Sequence, residues 1–418
     1  MDNLDKIFRA YDVRGVYPDE INEELAYKIG RATAQFLKAK KVVIGRDNRF
    51  SSDNLFKVLC EGIRDQGTDV IDIGLSTTPM FYWAVAHHKH NGGVMITASH
   101  NPPQYNGFKI VKKRALPVGW DSGLKKIKKL VEKGKFKNKN RGQLKIKEVL
   151  SEYIDNILKF IQIKKLKRFE INIDTSEGTA ELIISELFKK IPAQRTLSKE
   201  ADLGVIFDKD GDRILFADEK RIKINPDLIT ALLIHYFFKK SGKILYTTVA
   251  SRVVREEIER TGNEPVYSRV GHTFVLRKMA KEKIIFGAES SGHYYLKDNY
   301  YLDSPLFVLM KVLELLSRER KPLSELIKSF NKYFQKKVNF PAKEPEKLLK
   351  KIKKPLIRQW QKGKITKIDG LTIEYPDWWF NLRPSNTEPL LRLSIEANSK
   401  ELLEEKTNEL TKVVPSSP

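Results

Sequence analysis

The chain contains a single cysteine, Cys60, so it can form no intramolecular disulfide and no thiolate metal cluster, and its thiol use suits a reducing compartment. No apolar run approaches the roughly 20 residues that a bilayer span requires. The longest runs, such as Leu232 to Phe238, are short and interrupted by His235. The N-terminus, Met1 to Arg9, carries Asp2 and Asp5 beside Lys6 and lacks both an apolar segment and a small-residue cleavage site, so no signal peptide is expected and the expected location is cytoplasmic. There is no H-E-x-x-H pair. His87, His88 and His90 crowd together, but they end a helix-like stretch where cationic side chains suit the helix C-terminus, and that is how they are read.

What is abundant is positive charge: 77 Lys+Arg against 53 Asp+Glu, a formal net charge of +24. With 41% hydrophobic residues and 31% charged residues, 418 residues describe a globular chain of several domains rather than a disordered one. A basic balance suits nucleic acid, an anionic membrane or anionic small substrates about equally well. Much of the excess lies in Lys125 to Lys147 and Lys347 to Lys367, which alternate Lys with Ile and Leu and offer almost no aromatic platforms for bases. These stretches are read as solvated surface, and nucleic-acid binding is not expected as a main role.

Short β-branched runs recur at Lys41 to Gly45, Gly93 to Thr97, Ile171 to Asp174 and Lys243 to Thr248, each followed by a loop or a helical pattern. In Asn22 to Lys38, Leu25, Ile29, Ala32 and Phe36 mark one apolar face, and Ser304 to Leu316 repeats Leu306, Leu309 and Leu313. The alternation predicts an α/β architecture. Breaks at the Lys/Asn/Gly stretch 133–143, the Asn225-Pro226-Asp227 turn and the composition shift at Tyr333 to Pro345 predict four domains: 1–145, 146–222, 223–334 and 335–418. The last reads as α+β: a helix over Glu346 to Lys354 stopped or kinked by Pro355, strands over Leu371 to Tyr375, Trp378 to Leu382 and Leu390 to Ala397, and a helix over Lys400 to Lys412.

Four loops carry chemistry. In Thr97-Ala98-Ser99-His100-Asn101-Pro102-Pro103 the prolines predict an exposed, rigid turn presenting Ser99; a hydrolase reading fails because G-x-S-x-G is absent and His100 is an immediate neighbour, poorly placed as a base. In Asp208-Lys209-Asp210-Gly211-Asp212-Arg213, between predicted strands Leu203 to Phe207 and Ile214 to Ala217, three carboxylates at spacing two converge on a turn opened by Gly211. So many like charges call for a cation, and hard oxygen donors select Mg²⁺ or Ca²⁺. An EF-hand is rejected: Glu219 stands at the twelfth place, but Arg213 occupies the sixth and the flanks are strands. Arg213 beside the triplet suits a phosphate bridging metal and guanidinium. In Gly287 to His293, after a predicted strand Lys283 to Phe286, the alternating Glu289, Ser291 and His293 are expected to point one way, able to read hydroxyls or move a proton. Arg383-Pro384-Ser385-Asn386-Thr387-Glu388-Pro389 offers a guanidinium fork, hydroxyls and turn amides, the parts of an anion clamp.

Together and in this order, the four loops resemble those of the α-D-phosphohexomutase family over nearly the whole chain. Phe8-Arg9-Ala10-Tyr11-Asp12-Val13-Arg14-Gly15, Gly45 to Ser52 and Asn106-Gly107-Phe108-Lys109 look like its bacterial phosphomannomutase/phosphoglucomutase branch. The resemblance implies three similar mixed α/β domains and a C-terminal α+β, TATA-box-binding-protein-like domain around a central cleft. It implies a phosphoserine at Ser99 that joins Asp208, Asp210 and Asp212 in holding Mg²⁺, in an environment of Tyr11, Arg14, His100 and Arg213. The implied reaction interconverts hexose 1-phosphates and 6-phosphates through a hexose 1,6-bisphosphate, with glucose 1,6-bisphosphate as activator. Lys109 is the expected proton-transfer residue, with His293 or His272 as the second; Glu289 and Ser291 would hold sugar hydroxyls, and Arg383, Ser385, Asn386 and Thr387 the unreacting phosphate on a C-terminal domain that moves as a lid.

Three departures are expected to matter. The segment from Asp174 to Gly204 is short, so the second domain is trimmed of strands or loops; Ala288 replaces a usual glycine; and Val249-Ala250-Ser251-Arg252 lacks a lysine that some members carry. Alternatives are a phosphoglucosamine mutase, a phosphatase using the same serine and metal, and a basic nucleic-acid or partner-binding protein on a mutase scaffold. A monomer or homodimer is expected, acting on hexose phosphates without a membrane.

Overall fold

In the computed structural model, residues 4–137, 139–240, 242–385 and 388–414 are described. The first sheet has the order β1-β5-β4-β2-β3-β6, with β1 (Val13–Val16), β2 (Lys41–Arg46), β3 (Asp69–Leu75), β4 (Gly92–Ile96), β5 (Tyr105–Lys112) and β6 (Leu144–Ile146). Strands β2, β3, β4 and β6 run parallel, β5 pairs antiparallel with β4, and β1 pairs antiparallel with β5. Helix Ser52–Asp65 carries the chain from β2 to β3, and helix Thr78–His87 from β3 to β4.

The second sheet repeats this core in the order β11-β10-β9-β7-β8: β7 (Phe169–Asp174), β8 (Ala193–Arg195), β9 (Leu203–Phe207), β10 (Ile214–Ala217) and β11 (Lys223–Ile224). Helix Ala180–Phe188 links β7 to β8, but residues 196–202 pass from β8 to β9 as coil, where the first sheet has a whole helix at that step. At that step the second sheet lacks the crossover helix that the first sheet has. A parallel sheet normally buries both faces. Here Phe169, Ile171, Leu203, Val205, Phe207, Ile214 and Phe216 are buried, whereas the alternate positions Glu170, Asn172, Gly204, Ile206, Leu215 and Ala217 stay half-buried.

Strands β12 (Lys243–Thr247), β13 (Glu264–Ser268) and β14 (Phe286–Ala288) are parallel in the order β13-β12-β14, with both crossover helices, Arg252–Arg260 and His272–Glu282. Strand β14 starts later than the predicted Lys283 to Phe286, because Lys283 caps the preceding helix in the left-handed region. Strands β15 (Tyr294–Leu296) and β16 (Leu302–Asp303) form an antiparallel pair. The last sheet is antiparallel in the order β17-β21-β20-β19-β18: β17 (Phe334–Pro341), β18 (Lys364–Thr366), β19 (Leu371–Glu374), β20 (Trp378–Pro384) and β21 (Leu390–Ala397). Helices Pro345–Gln359 and Lys400–Val413 supply Leu349, Ile352, Leu356, Leu403 and Leu410 to its core. Pro355 does not stop the first of these helices. The bond it cannot make belongs to the carbonyl of Lys351, and both residues are exposed on the solvent side.

Two compact units result: residues 1–224 with 293–323, and residues 225–292 with 324–418. Strand β6 straddles the expected break at 145, and β11 extends the second sheet to Ile224, past the expected break at 222.

Within the first unit, helix Glu23–Leu37 begins at an Asn22 cap, whose side chain accepts from the Leu25 amide, and ends at Lys38 in the left-handed region. It crosses helix Ser52–Asp65 at two glycines. A Cβ on Gly30 would stand 2.4 Å from the Leu59 carbonyl oxygen, and one on Gly62 2.2 Å from that of Tyr27. Gly62→Ala is expected to cost about 1–3 kcal/mol by overpacking, read from the midpoint of urea unfolding.

Candidate active site

Ser99 follows β4 on a loop that Arg49 holds shut. The Arg49 guanidinium donates to the carbonyls of Ser99 (2.6 Å), Asn101 (2.8 Å), Pro102 (2.7 Å) and Tyr105 (2.9 Å), and its Nε to Asp47 at 3.0 Å. Four carbonyls gathered on one buried cation turn the loop inward. Ser99 is accordingly 3% exposed, not on the exposed turn that its two prolines predicted. It also adopts φ +53°, a left-handed conformation that costs a non-glycine residue about 1 kcal/mol and is held by the Thr97 hydroxyl on its amide. Removing Arg49 leaves Asp47 buried and unpaired. Arg49→Ala is expected to lower unfolding free energy by about 3–5 kcal/mol in urea titrations.

The Ser99 hydroxyl lies 3.3 Å from His100 Nδ1, and Arg213 Nη2 lies at the same distance from that nitrogen. Burial, reinforced by Arg213 and Arg14, pushes the His100 pKa down to about 4, so the ring is neutral and Nδ1 accepts. Arg14 joins the cluster through Asn101 Oδ1 at 2.6 Å and is paired with Asp12; Tyr11 is half-buried just before β1.

Asp208, Asp210 and Asp212 converge on the turn between β9 and β10, with carboxylate oxygens within 4.8 Å of one another. Gly211 allows the turn: its φ is +66°, and a Cβ there would come 2.7 Å from Thr77. Asp208 Oδ2, Asp210 Oδ1 and Asp212 Oδ1 are buried with no hydrogen-bond partner among the described residues. Three orphaned anionic oxygens facing together fit a divalent cation with hard-oxygen preference. Burial, and then the charges of Asp212 and Asp210, push the Asp208 pKa well up.

Lys109 Nζ, from β5, bridges Asp210 at 2.6 Å and Asp212 at 2.8 Å, and Thr78 donates to Asp210 Oδ2 at 2.7 Å. Burial works against the ammonium, but the two carboxylates outweigh it and hold the Lys109 pKa well above its ordinary value. His293 Nδ1 meets Asp303 at 3.0 Å while Arg213 Nε donates to His293 Nε2 at 3.1 Å. Burial opposes a charged His293, yet Asp212 and Asp303 bring its pKa to about 9. An Nε2 that accepts from Arg213 must be unprotonated, so the contacts describe the neutral ring with its proton on Nδ1; the pull toward charge comes chiefly from Asp212, whose charge a cation would neutralise.

The second unit holds the other expected residues. Glu289 is buried and its Oε2 accepts from the Gly271 amide at 2.9 Å, while Ser291 is exposed. Glu289, Ser291 and His293 do not share one direction: the Gly292 amide closes a turn onto the Glu289 carbonyl, with Gly292 at φ +90°. His272 begins helix His272–Glu282. Arg383, at the end of β20, is buried with Nε 4.0 Å from Asp369 Oδ2, and the Ser385 amide bonds the Leu390 carbonyl. Asn386 and Thr387 lie outside the described residues.

The family models for phosphoglucomutase/phosphomannomutase alpha/beta/alpha domain I, alpha/beta/alpha domain III and C-terminal domain match residues 5–138, 225–333 and 336–413. A phosphomannomutase of Escherichia coli is 34% identical over 96% of this chain and 98% of its own length, and one of Methanocaldococcus jannaschii is 34% identical over 98% and 97%.

This chain belongs to the phosphoglucomutase/phosphomannomutase family.

Its fold agrees: the crystal structure of a phosphoglucomutase/phosphomannomutase family protein from Burkholderia thailandensis matches with a TM-score of 0.89 at 26% identity, covering 98% of this chain and 96% of that one. The alignment with the Escherichia coli relative runs to 451 positions, more than this chain's 418 residues, so this chain has gaps against that relative.

Sequence reasoning left Arg49, Thr78, Asp303 and Asp369 without roles. Arg49 stood within a quoted family-like segment, but its grip on four carbonyls is visible only once the loop is folded. The second group of donors, His87, His88 and Glu152, also lies within 4.8 Å. There His87 meets the Tyr300 hydroxyl and His88 the Lys147 ammonium, and His87 is the last residue of helix Thr78–His87. Among the described residues no helix is long and apolar enough to cross a membrane.

Proposed function

We infer that this chain is an isomerase, a phosphomannomutase/phosphoglucomutase that moves a phosphoryl group between O1 and O6 of a hexose phosphate. The observation that carries this reading is the assembly, in a chain of this family, of Ser99, His100, Arg213 and three carboxylates, each with one oxygen that no hydrogen bond satisfies, in one cluster.

Ser99 is the proposed phosphoryl carrier. Its Oγ–P bond breaks as the sugar oxygen bonds to phosphorus, giving a hexose 1,6-bisphosphate; after that intermediate turns over, the other phosphoryl group returns to Ser99. Phosphoryl transfer needs alignment and charge neutralisation more than covalent assistance. Arg14 and Arg213 supply donors around the serine, neutral His100 turns an accepting Nδ1 toward it, and Tyr11 belongs to the same segment as Arg14. Mg²⁺ held by Asp208, Asp210 and Asp212, with a phosphoserine oxygen completing the set, would add charge neutralisation at the transferred group.

Lys109 exchanges the proton of the reacting sugar oxygen in this reading. Its present pKa is raised because it serves as the cation for Asp210 and Asp212. A metal held by those carboxylates would compensate their charge in its place, and the ammonium would then lose what holds its proton so tightly. His293, oriented by Asp303, or His272 is the second candidate for that exchange. Glu289 and Ser291 take sugar hydroxyls, and Arg383 with Ser385, Asn386 and Thr387 takes the phosphate that is not reacting. The chain works as a monomer or homodimer in a reducing cytoplasm, where Cys60 stays a buried thiol.

The test is a coupled assay of purified protein with Mg²⁺ and a trace of glucose 1,6-bisphosphate, run on glucose 1-phosphate and mannose 1-phosphate separately. Formation of either 6-phosphate supports the mutase; release of inorganic phosphate faster than isomerisation makes it a phosphatase. Turnover of glucosamine 1-phosphate alone reassigns the sugar. Inactivity on all three, with salt-dependent binding of oligonucleotide, sinks the enzyme reading in favour of a binding protein.

A further inference from the structure

The Asp369-Gly370 turn joins β18 to β19 and presses against the base of Arg383. Gly370 has φ +78°, and a Cβ on it would come 2.2 Å from the Leu382 carbonyl oxygen and 2.7 Å from Arg383 Cβ. The Asp369 carboxylate is 7% exposed. Its Oδ2 accepts from the Thr248 hydroxyl at 3.2 Å and from the Val270 amide at 2.9 Å, and stands 4.0 Å from Arg383 Nε. Its main-chain carbonyl accepts from Asn381 Nδ2 at 2.8 Å, which fixes the turn to β20 just before Arg383.

The next amide along, Gly271, donates to Glu289. Two carboxylates from distant parts of the chain thus hang on consecutive amides of a single loop, and that loop leads directly into His272. One carboxylate faces the proposed phosphate arginine; the other is the proposed reader of sugar hydroxyls. A peptide segment held at two successive amides cannot shift at one without moving the other.

We propose that Asp369 is a positioning residue that couples the two ends of substrate recognition: it orients Arg383 for the unreacting phosphate and, through Val270-Gly271, sets Glu289 for the sugar. The proposal rests on the mutase reading above. The 4.0 Å separation is an ion pair rather than a tight fork, so Asp369 steers the guanidinium without consuming the geometry a phosphate needs. A phosphate drawing Arg383 changes the field on Asp369, and the loop transmits that change to Glu289.

Two variants separate the links. Asp369→Asn keeps an oxygen for Val270 and Thr248 and removes the charge facing Arg383; Asp369→Ala removes both. Binding of glucose 1-phosphate is measured by calorimetry in a Ser99→Ala background, and KM and kcat in the Ser99 enzyme. Asp369→Ala is expected to raise Kd and KM at least about tenfold, more than it lowers kcat, and Asp369→Asn to raise them about threefold. Combined with Glu289→Gln, Asp369→Ala should lose at least about fivefold less than the product of the single losses. Losses that multiply, or a KM that ignores Asp369→Asn while only the melting temperature falls, overturn the coupling and leave Asp369 a structural turn. If Asp369→Ala does not fold, the Asp369→Asn pair with Glu289→Gln decides: the double variant should lose no more than Glu289→Gln alone, about threefold less than the product, and a full product overturns the coupling. A Ser99 enzyme inactive on every hexose phosphate would instead remove the mutase reading itself, a result distinct from an active enzyme indifferent to Asp369.

Discussion

Ser99→Ala is expected to lower kcat by at least about 10⁴-fold, the scale seen when a covalent catalyst loses its nucleophile. The same change should scarcely alter stability. The Ser99 hydroxyl has one neighbour, His100 at 3.3 Å, while the loop is held by backbone carbonyls on Arg49 and by the Thr97 hydroxyl on the Ser99 amide, none of which depends on Oγ. Alanine also relieves no strain, because the positive φ is imposed by those backbone bonds. Two measurements check the separation: the coupled assay, and intact mass after incubation with glucose 1,6-bisphosphate. The unsubstituted chain should gain one phosphoryl group and the alanine variant none. A variant retaining more than roughly 1% of kcat would place the phosphoryl carrier elsewhere.

Asp210→Asn carries the next largest expectation, a loss of about 10²–10³ in kcat together with about 3 kcal/mol of stability. Asp210 is fully buried and receives both Lys109 and Thr78 on Oδ2, while its Oδ1 is orphaned. Neutralising it removes one of the two carboxylates that compensate the buried Lys109 ammonium and one of three oxygens fit for a cation. Chelation of the unsubstituted enzyme should abolish activity reversibly, with Mg²⁺ restoring it, and the variant should require more Mg²⁺ for half-maximal rate. An Asp210→Asn enzyme with unchanged Mg²⁺ dependence would exclude this carboxylate from the metal site. Urea unfolding reports the stability change independently of turnover.

These two side chains illustrate why the site was readable from sequence. Carboxylates at spacing two around Gly211 must face one another if the backbone turns there, whatever surrounds them, and the predicted flanking strands coincide with β9 and β10. The alternation of Glu289, Ser291 and His293 failed for the converse reason. It assumed extended backbone, whereas Gly292 at φ +90° closes a turn that sends Glu289 inward and Ser291 outward. Strand β17 was also missed. Its sequence, FQKKVNFP, mixes lysines with apolar residues on an edge, and its pairing with β21 rather than a hydrophobic alternation makes it a strand.

The sequence by itself determined the α/β class, the apolar faces of helices such as Glu23–Leu37, and the four loops with the chemistry of their side chains, because these depend on local backbone preference, periodicity and residue type. Tertiary structure alone decided that Ser99 is buried, that Arg49 gathers four carbonyls, that Gly30 and Gly62 let two helices touch, and that Asp369 and Glu289 share one loop. Each of those joins residues distant in the chain, and such contacts arise only when packing brings the segments together.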